Sequence, residues 1–165
     1  MTGGILVSAQ RVRGSSVNTS FSIGAATRAD LDAVARLETV AFADPWTRQA
    51  FEVALTERHS RFRVARGPDG EVIGYLIAWF VVDEGEIANL AVVPGARRRG
   101  IARALLEEII AEARRAHLSR LFLEVRESNA AARALYTARG FEPIARRARY
   151  YRKPVEDAIV LRLEM

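Results

Sequence analysis

Apolar positions along this chain recur with two periods. Between Gly100 and His117, Ile101, Leu105, Ile109 and Ala113 return every fourth residue with Leu106 and Ile110 beside them, the stripe of an amphipathic helix. A shorter stripe of Leu31, Val34, Ala35 and Leu37 predicts a helix running to about Phe42. Thr27, followed three residues later by Asp30, resembles a capping box at its start, with Asp in place of Glu or Gln. Asp44-Pro45-Trp46-Thr47 then restarts a helix that ends near Arg58, and a further helix is expected over residues 130–139. Period two is clearest in residues 120–125, where Leu121, Leu123 and Val125 share one face and Phe122, Glu124 and Arg126 the other. Other strands are expected over residues 21–26, 61–66, 71–82, 86–93, 144–151 and 157–163. Gly67-Pro68-Asp69-Gly70 separates two of them by its turn chemistry, and residues 83–85 turn the chain again.

The resulting order, β-α-α-β-β-β-α-β-α-β-β, predicts an α/β layered fold around a mixed sheet. Residues 1–20 are small and polar and read as a flexible N-terminal extension, leaving one domain over residues 21–165. A chain of 165 residues that is 50% hydrophobic and 27% charged can bury a core of its own. No apolar run is long enough to cross a membrane, and the start lacks the pattern of a signal peptide, so the cytoplasm is the expected compartment.

Cysteine is absent, which excludes disulfides, thiolate catalysis and zinc–thiolate sites. His59 and His117 have no other ligands gathered around them, so no metal is expected. The net charge of +5 comes almost wholly from arginine, Lys153 being the only lysine. Such a charge raises nucleic acid as a partner. The arginines are spread along the chain without interleaved aromatics, however, so no direct nucleic-acid binding is expected.

Two stretches carry chemistry. In the first, a strand ending at Leu90-Ala91-Val92 leads through Arg97-Arg98-Arg99-Gly100 straight into the long helix at Ile101-Ala102-Arg103. Backbone N–H groups at a helix N-terminus form an anion site, and arginine supplies forked donors suited to phosphate. Glycine at position 100 and the small Ala102 would let a bulky anion approach. A solvated basic loop is the plainer alternative. The lysine–Ser/Thr ending of a nucleotide P-loop is missing, which argues against ATP or GTP.

In the second stretch, Glu124 stands midway along an apolar strand, where desolvation would raise its pKa toward that of a working base. The alternative is a surface glutamate paired with Arg126 across a wet face. Asn129 suits either a helix cap or a ligand contact. Tyr136 is either a packing residue or an acid, since a phenol keeps its proton at neutral pH.

Together the two stretches resemble the GNAT acetyltransferases. Arg97-Arg98-Arg99-Gly100-Ile101-Ala102 fits the family's acetyl-CoA motif of Gln or Arg, two residues, Gly, one residue, then Gly or Ala. The segment from Leu123-Glu124-Val125-Arg126-Glu127-Ser128-Asn129 through Tyr136 to Gly140-Phe141 is more specific. It is similar to the RimI branch, bacterial enzymes that acetylate the N-terminal alanine of a small-subunit ribosomal protein. Phe42 with Pro45-Trp46-Thr47, the pair Tyr150-Tyr151, and Glu156-Asp157-Ala158 agree with that branch, and the likeness covers roughly residues 21–163.

The resemblance implies a mostly antiparallel central sheet flanked by about four helices. It implies acetyl-CoA as donor, bound by Leu90, Ala91, Val92, by Arg97, Arg98, Arg99, Gly100, Ile101, Ala102 and Arg103, and by Asn129. It implies Glu124 as proton acceptor and Tyr136 as proton donor, with Trp46, Tyr150 and Tyr151 against the acceptor. The implied partner is a protein N-terminus, that of a ribosomal protein, met by a monomeric enzyme. Arg152-Lys153-Pro154-Val155 is shorter than the corresponding segment of enterobacterial members, and it lies where the acceptor is expected to bind. Acetylation of lysine side chains or of a small-molecule amine is the alternative. A cationic small amine would call for an acidic groove, whereas residues 146–153 are strongly basic.

Overall fold

A computed structural model describes residues 20–165, so nearly all of the expected N-terminal extension lies outside the described residues. The chain runs through β1 (Ser22–Ala25), α1 (Leu31–Ala41), α2 (Arg48–Thr56), β2 (Ser60–Arg66), β3 (Val72–Val81) and β4 (Glu84–Val92). It continues through α3 (Ile101–Arg115), β5 (Arg120–Arg126), α4 (Ala130–Thr137), β6 (Glu142–Arg152) and β7 (Val155–Glu164). This is the expected order of strands and helices. The seven strands form one sheet in the order β1-β2-β3-β4-β5-β7-β6. Every neighbouring pair is antiparallel except β4 and β5, which α3 connects.

Both faces of the sheet are covered where the apolar stripes meet it. Leu105, Leu106 and Ile109 of α3 pack with Leu76, Ala78, Leu121 and Leu123 on one face. Leu31 and Val34 of α1 and Phe51 of α2 pack with Phe62, Val64, Tyr75 and Ile77 on the other. Burial on both faces explains the nearly continuous apolar run of β3, Val72-Ile73-Gly74-Tyr75-Leu76-Ile77-Ala78. Strand β6, at the sheet edge, is exposed along almost its whole length and carries arginines, which discourage pairing with another chain.

Local chemistry explains the element ends. The Thr27 N–H donates to Asp30 Oδ2 at 2.7 Å, closing a single 3₁₀ turn that leads into α1. Thr47 Oγ1 accepts from the Ala50 N–H at 3.1 Å and caps α2. Several boundaries shift by one to three residues, and the β3–β4 connection is Val82-Asp83, with Val82 at φ 57°, rather than residues 83–85. Gly85 lies inside β4, where a Cβ would come within 2.5 Å of Leu121, so this glycine serves close packing rather than a turn.

Strand β4 holds the feature that shapes the site. It pairs with β5 only from Glu84 to Ile87, against Arg120 to Leu123. Along β3, Ile77 faces Asn89 and Ala78 faces Ile87, leaving Ala88 as a bulge. Beyond the bulge β4 stays with β3 and parts from β5, opening a gap between the two parallel strands.

Candidate functional site

The gap is floored by backbone. Ala91 and Val92 are each 7% exposed, with their side chains in the cores on opposite faces, and Leu90 is half-buried against the α3 layer. Their main chain is therefore what the gap exposes. The Val93 N–H donates to Ile73 O across β3 at 2.9 Å, so strand alternation turns the Val92 N–H toward the gap. The Val92 carbonyl accepts from Arg97 Nε at 3.2 Å, which ties the following loop to the strand.

That loop is a single 3₁₀ turn, Pro94–Ala96, followed by the arginines and the first turn of α3. Gly100 is the helix N-cap at φ 78°, and a Cβ there would meet nothing within 4 Å. The glycine is required by the left-handed backbone rather than by crowding inside the protein. Arg98, at φ 62°, and Arg99 are exposed and make no ion pair among the described residues. Arg103 approaches Glu107 at 3.9 Å on the exposed helix face. Unpaired guanidinium groups around uncapped helical N–H groups fit a polyphosphate chemically. Ile101 is 2% exposed and belongs to the core, so it can offer only its backbone N–H; Ala102 is partly open. Asn129 caps α4, its Oδ1 accepting from the Ala132 N–H at 3.1 Å, which leaves its amide NH₂ and one oxygen lone pair for other contacts.

Glu124 projects from β5 on the face opposite α3, its side chain 16% exposed. Its partner is not Arg126, which pairs with Glu156 at 3.2 Å and lies 4.1 Å from the Tyr151 ring centre. Instead Arg147 of β6 reaches Glu124 Oε1 through Nε at 3.0 Å. The same carboxylate is the main reason the Tyr150 phenol is pushed above its usual pKa. Tyr150 and Tyr151 meet edge to face at 5.1 Å. Burial first, and then Glu124, push Tyr151 up to about 12. Tyr136, on α4, is 7% exposed and stacks edge-on with Phe141 at 5.8 Å. Burial and then Tyr151 push it up to about 12, so it holds its proton throughout the neutral range. Glu124, Tyr136, Tyr150 and Tyr151 thus share one neighbourhood, built from β5, α4 and the β6–β7 hairpin.

A groove of about 660 Å³ runs from Glu124 along the open face, lined by Trp79, Phe122, Arg147, Asp83, Glu84 and Glu86 among others. Four carboxylates against one guanidinium make it acidic, contrary to the expectation drawn from residues 146–153. The sequence stretch is basic, but of it only Arg147 lines the groove. Trp46 lies on the connection between α1 and α2, half-buried and 5.5 Å from Phe51.

Sequence reasoning missed Glu38. At 1% exposure it is the most buried charged residue described, accepting from the Trp46 N–H at 2.9 Å, from Asn89 Nδ2 at 3.1 Å and from the Tyr75 hydroxyl. Glu38 lies seven residues after Leu31, on the apolar stripe of α1, and that misplaced polar residue was the available signal.

Residues 31–141 match the acetyltransferase (GNAT) family. A [ribosomal protein bS18]-alanine N-acetyltransferase of Escherichia coli is 39% identical over 136 residues, 81% of this chain and 90% of that protein. The N-alpha-acetyltransferase RimI of Mycobacterium tuberculosis is 38% identical over 147 residues, 86% of this chain and 90% of that one. The crystal structure of the ribosomal-protein-S18-alanine N-acetyltransferase from Escherichia coli superposes with a TM-score of 0.81 at 35% identity, covering 87% of this chain and 93% of that one.

Proposed function

The chain belongs to the GNAT family and is an acetyl-CoA-dependent N-acetyltransferase, and on that premise we propose that it acetylates the α-amine of a protein N-terminus, specifically the N-terminal alanine of a small-subunit ribosomal protein. The observation that carries this reading is the 39% identity to a bS18-alanine N-acetyltransferase across 90% of that protein's length.

Bound acetyl-CoA would supply an acetyl group activated as a thioester. The arginine loop and the first turn of α3 would hold its phosphates, and the β4 backbone its acyl end. The acceptor's α-amine has a pKa near 8, so at neutral pH much of it carries a proton and cannot attack. Glu124 takes that proton, directly or through a water, and the incoming ammonium competes with Arg147 for the carboxylate. The Val92 N–H, facing the gap, stabilises negative charge gathering on the carbonyl oxygen as the amine attacks. As the C–N bond forms and the C–S bond breaks, Tyr136 gives its proton to the departing sulfur and recovers one from the acylated nitrogen, which sheds its second proton. General acid and base steps are each worth about 10² to 10⁴-fold.

The acidic lining of Asp83, Glu84 and Glu86 favours a second reading, a cationic acceptor such as a lysine side chain or a small-molecule amine. The deciding experiment is acetyl-CoA-dependent mass gain on peptides beginning with Ala, Ser, Met or Gly. Each is tested with its α-amine free and blocked, beside an internal-lysine peptide and a polyamine. Acetylation confined to free N-terminal alanine supports the ribosomal-protein reading. Transfer only to lysine or the polyamine replaces it with the second.

A further inference from the structure

Simple alternation from Ile87, which packs in the α3 layer, would send Asn89 to that same face. The bulge at Ala88 reverses this: Ala88 packs in the α1–α2 layer, and Asn89 also turns to α1, where its Nδ2 reaches Glu38 Oε1 at 3.1 Å. Bulges re-aim side chains in this way. Asn89 thereby lies on the same face as Glu124, just past the point where β4 and β5 part.

The orientation of the amide follows from Glu38. An NH₂ group committed to a carboxylate forces the amide oxygen away from it, and the flipped amide would set oxygen against oxygen. The Asn89 Oδ1 makes no hydrogen bond among the described residues, and the side chain is only half-buried. Glu38 itself has no ion pair among the described residues and is held by three neutral donors, from the α1–α2 connection, β3 and β4. A buried carboxylate is costly unless so satisfied. Here it locks the strand that faces the cofactor to the connection bearing Trp46.

We propose that Asn89 is an acceptor-binding residue whose side-chain carbonyl receives an N–H of the incoming primary amine, and that Glu38 is the positioning residue holding the amide in that sense. The inference rests on the N-acetyltransferase reading of the gap. It places an oxygen acceptor on β4 facing the base on β5, so that the amine nitrogen is gripped from both strands.

Steady-state kinetics with an alanine-first peptide and acetyl-CoA test it, using Asn89→Ala, Asn89→Leu, Glu38→Gln and the Glu38→Gln/Asn89→Ala double variant. Loss of a hydrogen bond to a charged or partly charged donor should raise the acceptor KM by about ten- to a hundredfold in both Asn89 variants. The KM for acetyl-CoA should stay close to wild type. Leucine keeps the side-chain volume, so it carries the test if the alanine variant folds poorly. Glu38→Gln should raise the same acceptor KM, with little further rise in the Asn89→Ala background. An unchanged acceptor KM in both Asn89 variants overturns the proposal, as does an equal rise for acetyl-CoA or a defect that leucine repairs. An undiminished Glu38→Gln effect in the Asn89→Ala background overturns the positioning role. A wild-type protein that acetylates no peptide N-terminus overturns the functional reading itself, and this inference with it.

Discussion

Glu124 already has the Arg147 guanidinium as a partner, and in the proposed reaction an acceptor ammonium has to displace it. Arg147 is 58% exposed, so water and salt screen the pair and its strength is small. Arg147→Gln is therefore expected to raise kcat/KM for the acceptor only severalfold, read as a lower acceptor KM at constant acetyl-CoA. Glu124→Gln and Tyr136→Phe should fold normally and lower kcat by about 10² to 10⁴-fold each; wild-type rates in both would remove the assigned roles. Tyr136, pushed up to about 12, is protonated in the folded chain well above the ordinary phenol range. Its contribution to stability is complete below the unfolded pKa of about 10 and is lost as the pH rises toward 12. Alkaline melts should accordingly fall above about pH 10, less steeply in Tyr136→Phe. The face on which Glu124 lies was legible in the sequence because strand alternation reports it directly. That of Asn89 was not, since one bulged residue inverts that alternation and leaves no mark in composition.

Among the elements, the start of α3 concentrates the requirements of the proposed donor site. Gly100 at φ 78° has open space around its missing Cβ, so Gly100→Ala is a purely conformational change, expected to cost about 1–2 kcal/mol. Gly100→Asn should recover part of that, because asparagine tolerates the left-handed region. Calorimetric melts and acetyl-CoA titration would check both, and an alanine variant as stable as wild type would contradict the assignment. The helix itself was evident from its fourfold apolar spacing. The reason for its glycine was not, because a dihedral angle is set by how β4 delivers the chain to the helix. The β3–β4 turn shows the same limit: Gly85 looks like a turn residue, yet the neighbouring Leu121, distant in sequence, decides its role.

At the scale of the molecule, one sheet carries two cores, one packed on α3 and one on α1 and α2, and the proposed reaction sets the donor against the first and the acceptor against the second. Phe51→Ala and Leu105→Ala, both at residues 0% exposed, should each cost about 2–5 kcal/mol. Because both cores share β3 and β4, either change should lower one common unfolding transition rather than split it in two. The kinetic consequences should separate: Phe51→Ala raises the acceptor KM more, Leu105→Ala the acetyl-CoA KM more. Two resolved transitions, or identical kinetic profiles, would contradict this division. Local patterning along the chain determined the elements and their order, the arginine loop ahead of α3 and the facing of Glu124, because periodicity and capping act over a few residues. Tertiary structure alone decided the order β5-β7-β6, the parting of β4 from β5, the acidity of the groove and the bond between Glu38 and Asn89. Each of these depends on groups far apart in sequence, such as Glu86, Glu124 and Arg147, whose meeting is set by how the sheet closes its two cores.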